Sequence, residues 1–237
     1  MMSNKVGFGR DASEFLRERG FAEDSKSVSV WGIRITALSP ASGDRVTVRV
    51  AISNPSGREN QEFTVMKAHA EELCLAIGEI DEETLPELEY FAEVAKAYGS
   101  ACASFAYTPS SYSALYKKLL VKGFPKDVSS DAIDCLRDSG FIKEDEIALR
   151  RAQILVGKHW GRIRIMAKLR EEGFGEEAFV LTREFLNNTD FAATCAEHIR
   201  KKYGRVPEDD HSRGLMYASL SRMGFSITDI KNAIKLI

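Results

Sequence analysis

The clearest pattern lies between Val28 and Met66. Val28, Val30, Ile33 and Ile35 fall in a β-rich run, and Val46, Val48 and Val50 alternate with Thr47 and Arg49. A period of two turns one set of side chains to a single face of a strand. Ser42-Gly43-Asp44 between these runs reads as a hairpin turn, and Asn54-Pro55-Ser56-Gly57 as a second. Glu62 to Met66 completes a predicted antiparallel meander of three strands. So few short strands bury little and need a helix against them. Lys67 to Ile77, with Ala70, Leu73, Cys74 and Ile77 at helical spacing, is predicted to supply it. Residues 1–27 are polar with scattered Phe8, Phe15, Leu16 and Phe21, and read as a loosely ordered arm with a short helix near Ala12 to Arg19.

After Gly78 the period changes to that of helices and no strand pattern returns. Asp81-x-x-Thr84 opens a long helix whose apolar face includes Leu88, Phe91, Val94, Ala95 and Tyr98. Thr108-Pro109-Ser110 ends it, because proline cannot continue a helix and serine caps the next one.

A repeat then emerges. Gly-Phe occurs at Gly123-Phe124, Gly173-Phe174 and Gly224-Phe225, so the glycines are 50 and 51 residues apart. Leu119, Leu169 or Leu220 stands four residues before each glycine, and Leu115, Ile165 or Met216 eight before. Leu136, Leu186 or Ile237 stands thirteen after. A leucine four before a glycine is the last apolar contact of a helix, and the glycine supplies a left-handed cap. Units of about 50 residues have room for three helices each. The predicted fold is therefore mainly α: a tandem array of three three-helix repeats behind a small antiparallel β meander plus helix. The expected divisions are an arm at 1–27, a β-rich domain at 28–80 and helical repeats at 81–237. The repeats fall at about 89–144, 145–189 and 190–237.

Composition changes this picture little. Hydrophobic residues make up 44% and charged residues 29% of the 237, which excludes collagen-like and wholly disordered classes. No apolar run approaches the roughly 18 residues of a membrane span, and Met1 to Arg19 lacks the apolar core of a secretory signal. A cytoplasmic chain is expected, and nothing in the sequence points to a membrane partner. Cys74, Cys102, Cys135 and Cys195 are far apart in apolar helical patterns, without a C-x-x-C, and read as small core residues.

No constellation of catalytic residues appears. Gly7-x-Gly9 lacks the third glycine and the preceding strand of a nucleotide-binding loop. Cys195 and His198 are one helical turn apart, but no second pair completes a four-ligand metal site. The expectation is a non-enzyme without cofactor or metal.

Charge changes the picture more. The formal net charge is −2, which argues against a bulk polycation. That value averages unlike parts: residues 1–88 hold 10 basic and 15 acidic groups, and residues 89–237 hold 23 and 20. Between Glu146 and Glu171 there is no acidic residue at all. The interval holds Arg150, Arg151, Lys158, Arg162, Arg164, Lys168 and Arg170, with His159 and Trp160. Arg164 and Lys168 are four apart and predicted to share one outward stripe, where like charges repel by a few tenths of a kcal/mol. Nucleic-acid phosphate or an acidic groove of a filament would relieve that repulsion. Acids from other helices, such as Asp127, Asp131, Asp134 and Asp138, would relieve it too. Lys117, Lys118 and Lys122 in the first unit, and Arg200, Lys201 and Lys202 in the third, are secondary candidates, since repeat arrays bind along extended surfaces.

Gly140-Phe141-Ile142-Lys143-Glu144, Ile147-Ala148, Gly161-Arg162-Ile163-Arg164-Ile165 and Leu169-Arg170-Glu171-Glu172-Gly173-Phe174 together resemble the RecX family of RecA regulators. So does Pro109-Ser110-Ser111 followed by Leu115, Leu119 and Lys122-Gly123-Phe124. The resemblance covers roughly residues 28–237 and includes the β-rich N-terminal extension of many Gram-positive members. The chain departs from the family pattern at Ala114 and Lys143, where acidic residues are usual, and near Arg151, where an aromatic is usual. The resemblance implies tandem three-helix repeats and a regulator that binds the RecA filament along its groove, usually inhibiting its recombination and SOS-related activities. The basic residues singled out by charge are the contact candidates for such a partner, and the resemblance implies that some members also bind DNA. A monomer is expected. The alternative is a helical-repeat protein that binds single- or double-stranded DNA independently of RecA, since three-helix units can resemble helix-turn-helix domains.

Overall fold

A computed structural model describes residues 32–237. The expected arm at 1–27, its short helix, Gly7-x-Gly9, and Val28 and Val30 lie outside the described residues. The described residues pack as two compact units. One comprises 32–107 with Tyr116–Ser139, and the other Thr108–Leu115 with Gly140–Ile237.

In the first unit, β1 (Gly32–Pro40), β2 (Arg45–Asn54) and β3 (Gly57–Met66) form the predicted meander. A short β4 (Gly78–Ile80) adds to the edge of β1, giving the order β3-β2-β1-β4. The sequence reading missed this strand, because three residues are too few to display a period of two. The alternation in β2 has its expected result. Val48 and Val50 are fully buried together with Ile35 and Val65. The helix expected at Lys67 to Ile77 is only α1 (Lys67–Glu72). Cys74 follows it, exposed and in a left-handed conformation with φ 50°, and Ile77 is exposed. The helix that covers the sheet is instead α2 (Thr84–Tyr107), which presents Leu85, Leu88, Phe91 and Ala92 to it. His69 of α1 is buried with its ring stacked 4.1 Å from that of Phe91. Burial lowers its pKa to about 4, so the imidazole is neutral at pH 7.

The remaining helices follow the predicted grouping by threes. α2, α3 (Tyr112–Val121) and α4 (Lys126–Asp138) surround the first Gly-Phe pair. α5 (Glu144–Gly157), α6 (Arg162–Glu171) and α7 (Val180–Asn187, entered through a 3-10 turn at Glu176–Phe179) surround the second. α8 (Phe191–Tyr203), α9 (Asp210–Arg222) and α10 (Ile227–Lys235) surround the third. At all three pairs the middle helix ends in the same double turn. The Phe124, Phe174 and Phe225 amides donate to the Leu119, Leu169 and Leu220 carbonyls at 3.1–3.2 Å. The glycine amides donate to the next carbonyls along at 2.9–3.0 Å. This is a Schellman cap, which requires a left-handed residue, and the three glycines have φ 91°, 85° and 88°.

The flanking apolar positions behave alike. Leu115, Ile165 and Met216, and Leu119, Leu169 and Leu220, are all fully buried, each contributing about 2 kcal/mol of hydrophobic stabilisation. Ile237 departs from the pattern. It is 43% exposed, whereas Leu136 and Leu186 are buried, because α10 ends at Lys235. One continuous core runs through the second and third repeats, from Leu155 and Phe179 to Phe225 and Ile230.

Candidate functional site

Helices α5 and α6 carry six of the seven first-choice basic residues, the seventh, Lys158, is the C-cap of α5, and all lie in the second compact unit. Their local structure decides which of these charges are available. α5 begins with Glu144, Asp145 and Glu146 in its first turn, where carboxylates favour the positive end of the helix dipole. It ends in a fourth Schellman turn: the Trp160 amide donates to the Leu155 carbonyl at 3.1 Å and the His159 amide to the Val156 carbonyl at 2.8 Å. Here the left-handed residue is His159, with φ 57°, in place of the glycine used elsewhere. The turn delivers Trp160 against the core and places Gly161 at the start of α6.

Gly161 makes the tightest backbone contact of the unit. Its amide donates to the Met223 carbonyl at 2.8 Å, and the Ile163 amide donates to the Gly224 carbonyl at 3.1 Å. Two open donors at the start of α6 thereby satisfy two open acceptors at the end of α9. A Cβ on Gly161 would lie 2.1 Å from the Gly224 carbonyl carbon, and one on Gly224 would lie 2.4 Å from the Arg164 backbone nitrogen. Only a pair of glycines permits this joint. At the other end of α6 a looser version recurs. The Ser111 hydroxyl donates to the Glu172 carbonyl at 2.7 Å and accepts from the Ala114 amide, capping α3. The end of α9 thus meets the start of α6, and the end of α6 meets the first residues of α3, so that at both junctions a negative dipole end faces a positive one.

The arginines of the Gly-Arg-x-Arg-Ile segment hold this arrangement together. Arg162 donates to the Leu186 carbonyl at 2.6 Å and to the Asn187 side chain at 2.9 Å, which caps the end of α7. Arg164 does not join Lys168 in the expected outward stripe. Its guanidinium lies over the Trp160 ring at 3.8 Å from the centroid, and one nitrogen is 3.0 Å from Met223 sulfur.

Three more of the seven are paired. Arg151 makes a bidentate contact to Glu172 at 2.8 to 3.2 Å, which raises its pKa further above the ordinary arginine value. Lys168 is 3.1 Å from Glu171. Arg170 is 2.9 Å from Glu176, which Arg183 also contacts, and these bonds, Arg170 first, lower the Glu176 pKa. The neutralising acids are therefore Glu171, Glu172 and Glu176. Of the aspartates proposed for that task, Asp131 accepts from Tyr90 at 2.5 Å and Asp134 pairs with Arg137 at 2.7 Å. Glu172 is only 21% exposed.

Arg150 and Lys158 remain. Both are exposed, and among the described residues neither side chain has an ion pair or hydrogen bond. Arg150 lies on α5 and Lys158 is its C-cap, each four residues from Ile154, itself 47% exposed. Among the secondary candidates, Lys122 donates to Ser100 and Ser104 at 2.8 and 3.0 Å. Lys117 is exposed and Lys118 half-buried. Arg200 donates to the Leu236 carbonyl, capping α10, and Lys202 donates to Ser219 at 2.9 Å. Lys201 is exposed.

Cys195 is fully buried, with its thiol pKa pushed up to about 12 by burial, and packs as a core residue. His198, one turn on, is half-buried and its pKa is lowered by burial and by Lys202. Among the described residues no three metal-ligating side chains come together, and no helix is long and apolar enough to cross a membrane.

The described residues define a tandem helical-repeat protein with an N-terminal sheet. No family model matches the chain. Regulatory protein RecX of Chromobacterium violaceum is 28% identical over 120 residues, which covers 51% of this chain and 76% of that protein. A crystal structure of regulatory protein RecX superposes with a TM-score of 0.63 at 20% identity, covering 86% of this chain and all of the other. RecX from Lactobacillus salivarius gives a TM-score of 0.50 at 20% identity over 61% of this chain and 98% of the other. Sequence and fold point the same way: the chain is similar to RecX regulatory proteins in part of its sequence and shares their helical-repeat fold.

Proposed function

We propose that this protein regulates the RecA recombinase by binding its filament, and that the effect is inhibition of recombination and SOS-related activity. The observation that carries the reading is the helical-repeat fold shared with RecX proteins, together with a sequence match that spans three quarters of a curated RecX. It acts by binding, as a cytoplasmic monomer without cofactor, metal or catalytic step. The second repeat presents Arg150, Ile154 and Lys158 of α5 as the contact stripe. Arg150 and Lys158 have no side-chain bond among the described residues to give up on binding, so pairing them with an acidic partner costs no internal bond. Lys168, Arg151 and Arg170 border the stripe as charges already shared with glutamates. The first and third repeats add Lys117 and Lys201.

Titrating the full chain into RecA ATPase on single-stranded DNA tests the reading. Inhibition that saturates near stoichiometry is expected, with co-sedimentation of the chain with RecA filaments. No change at excess, with no co-sedimentation, would overturn it. Binding to bare DNA that weakens steeply with salt and ignores RecA would favour the DNA-binding alternative instead.

A further inference from the structure

The sheet has a second face, opposite the one that packs on α2. Its first face is packed with Val48, Val50 and Val65 against α2. On the opposite face, strand alternation places Arg49, Ala51 and Ser53 of β2. Ala51 pairs with Arg34 on β1 and with Asn60 on β3; Arg49 pairs with Glu62, and Ser53 with Arg58. A small alanine at the centre of longer polar neighbours leaves a dent, and these neighbours cover it so well that Ala51 is 2% exposed. The register of β1 slips between Ile35 and Ala37, so Thr36 is an extra residue at a bulge beside the dent. The depression measures about 530 Å³ and is lined by Thr36, Arg49, Arg58, Asn60, Gln61 and Glu62.

The donors here are partly fixed and partly unused. Glu62 accepts from Arg49 Nε at 2.8 Å, which orients the guanidinium while leaving its terminal nitrogens available. Arg58 has no acidic partner among the described residues. The site is open and polar, without the apolar walls that hold the hydrocarbon body of a typical small-molecule ligand. Forked guanidinium donors match phosphate oxygens.

We propose that this depression binds a phosphate-bearing ligand, with Arg49, Arg58 and the Asn60 amide as donors to the phosphate oxygens. It is a site separate from the α5 stripe, and it gives the β-rich part a binding role of its own. The phosphate could come from a free phosphorylated compound or from a nucleic-acid strand, and both sources use the same donors.

Two probes on the full chain separate them: pyrophosphate by calorimetry, and a labelled single-stranded oligonucleotide of about ten nucleotides by fluorescence anisotropy. Saturable binding of at least one probe is expected. Arg58→Ala should weaken it about tenfold or more, the size expected for losing a charged hydrogen-bond donor. Arg58→Lys should recover part of the loss, since it restores the charge without the fork. Lys67→Ala, which removes a positive charge elsewhere in the same unit, should stay within about twofold of the wild type. Arg49→Gln provides a second variant, and circular dichroism checks that each is folded. Pyrophosphate binding lost in Arg58→Ala identifies a free phosphate compound as sufficient. Oligonucleotide binding lost in Arg58→Ala, with no pyrophosphate binding, identifies a strand. Absence of saturable binding for both probes, or unchanged affinity in folded Arg58→Ala and Arg49→Gln, overturns the proposal.

Discussion

Helices α5 and α6 are adjacent in sequence, and the basic residues on and beside them meet different fates. On α6, Arg162 caps a helix, Arg164 lies on Trp160, and Lys168 and Arg170 are paired with glutamates. On α5, Arg151 is paired with Glu172, whereas the side chains of Arg150 and of Lys158 at the C-cap are exposed without partners among the described residues. The most recognisable basic motif of the chain is therefore a structural device, and the less conspicuous pair next to it is what stays exposed and unpaired among the described residues. Charge density along a sequence does not distinguish the two. What distinguishes them is whether an acceptor lies within reach in the fold.

The largest effect expected from this contrast is at the joint. Gly161→Ala should destabilise the protein by about 3 kcal/mol or more, because the new Cβ collides with backbone that cannot rotate away. Denaturant unfolding followed by circular dichroism measures it, and a loss under about 1 kcal/mol would mean the joint yields. Arg162→Ala should cost about 1–2 kcal/mol through the lost cap on α7. The same substitution at Arg150 should fall within about 0.5 kcal/mol of the wild type. If the two were equal in unfolding experiments, the division between structural and free charges would fail. A smaller gain is expected from His159→Gly. Relieving the left-handed histidine should stabilise by up to about 1 kcal/mol, offset by lost packing around the ring.

The smallest effect is in pH. The Glu176 carboxylate is held below its ordinary pKa by Arg170 and Arg183, so its contribution is present above the unfolded value. It fades as pH falls through the lower folded value. Carboxyl NMR titration should find Glu176 titrating below the ordinary glutamate range in the wild type and moving up in Arg170→Ala.

Much of the fold was legible in the sequence. The Gly-Phe spacing placed three helix ends correctly because a Schellman cap needs a left-handed glycine followed by an apolar residue. The period of two in Val46 to Val50 likewise selected the buried face of β2. Other features were not legible, for separable reasons. β4 is too short to carry a pattern, and the helix predicted through Ile77 stops at Glu72 because the chain turns back to pair with β1. The cover of the sheet comes from Leu88 and Phe91, which the sequence showed as apolar but not against what. At the candidate site, residue types and spacing found all seven basic side chains but could not see that Glu172 and Glu176 return to them. Nor could they show that Gly161 meets Gly224, since contacts between residues so far apart leave no local signature.

The most direct test of the contrast is a comparison of two double variants in RecA ATPase on single-stranded DNA. Arg150→Glu with Lys158→Glu should keep the wild-type unfolding midpoint and lose the effect on the ATPase. Lys168→Ala with Arg170→Ala should keep most of that effect. An α5 variant that inhibits as well as the wild type, beside an α6 variant that does not, would contradict the assignment of the contact stripe to α5.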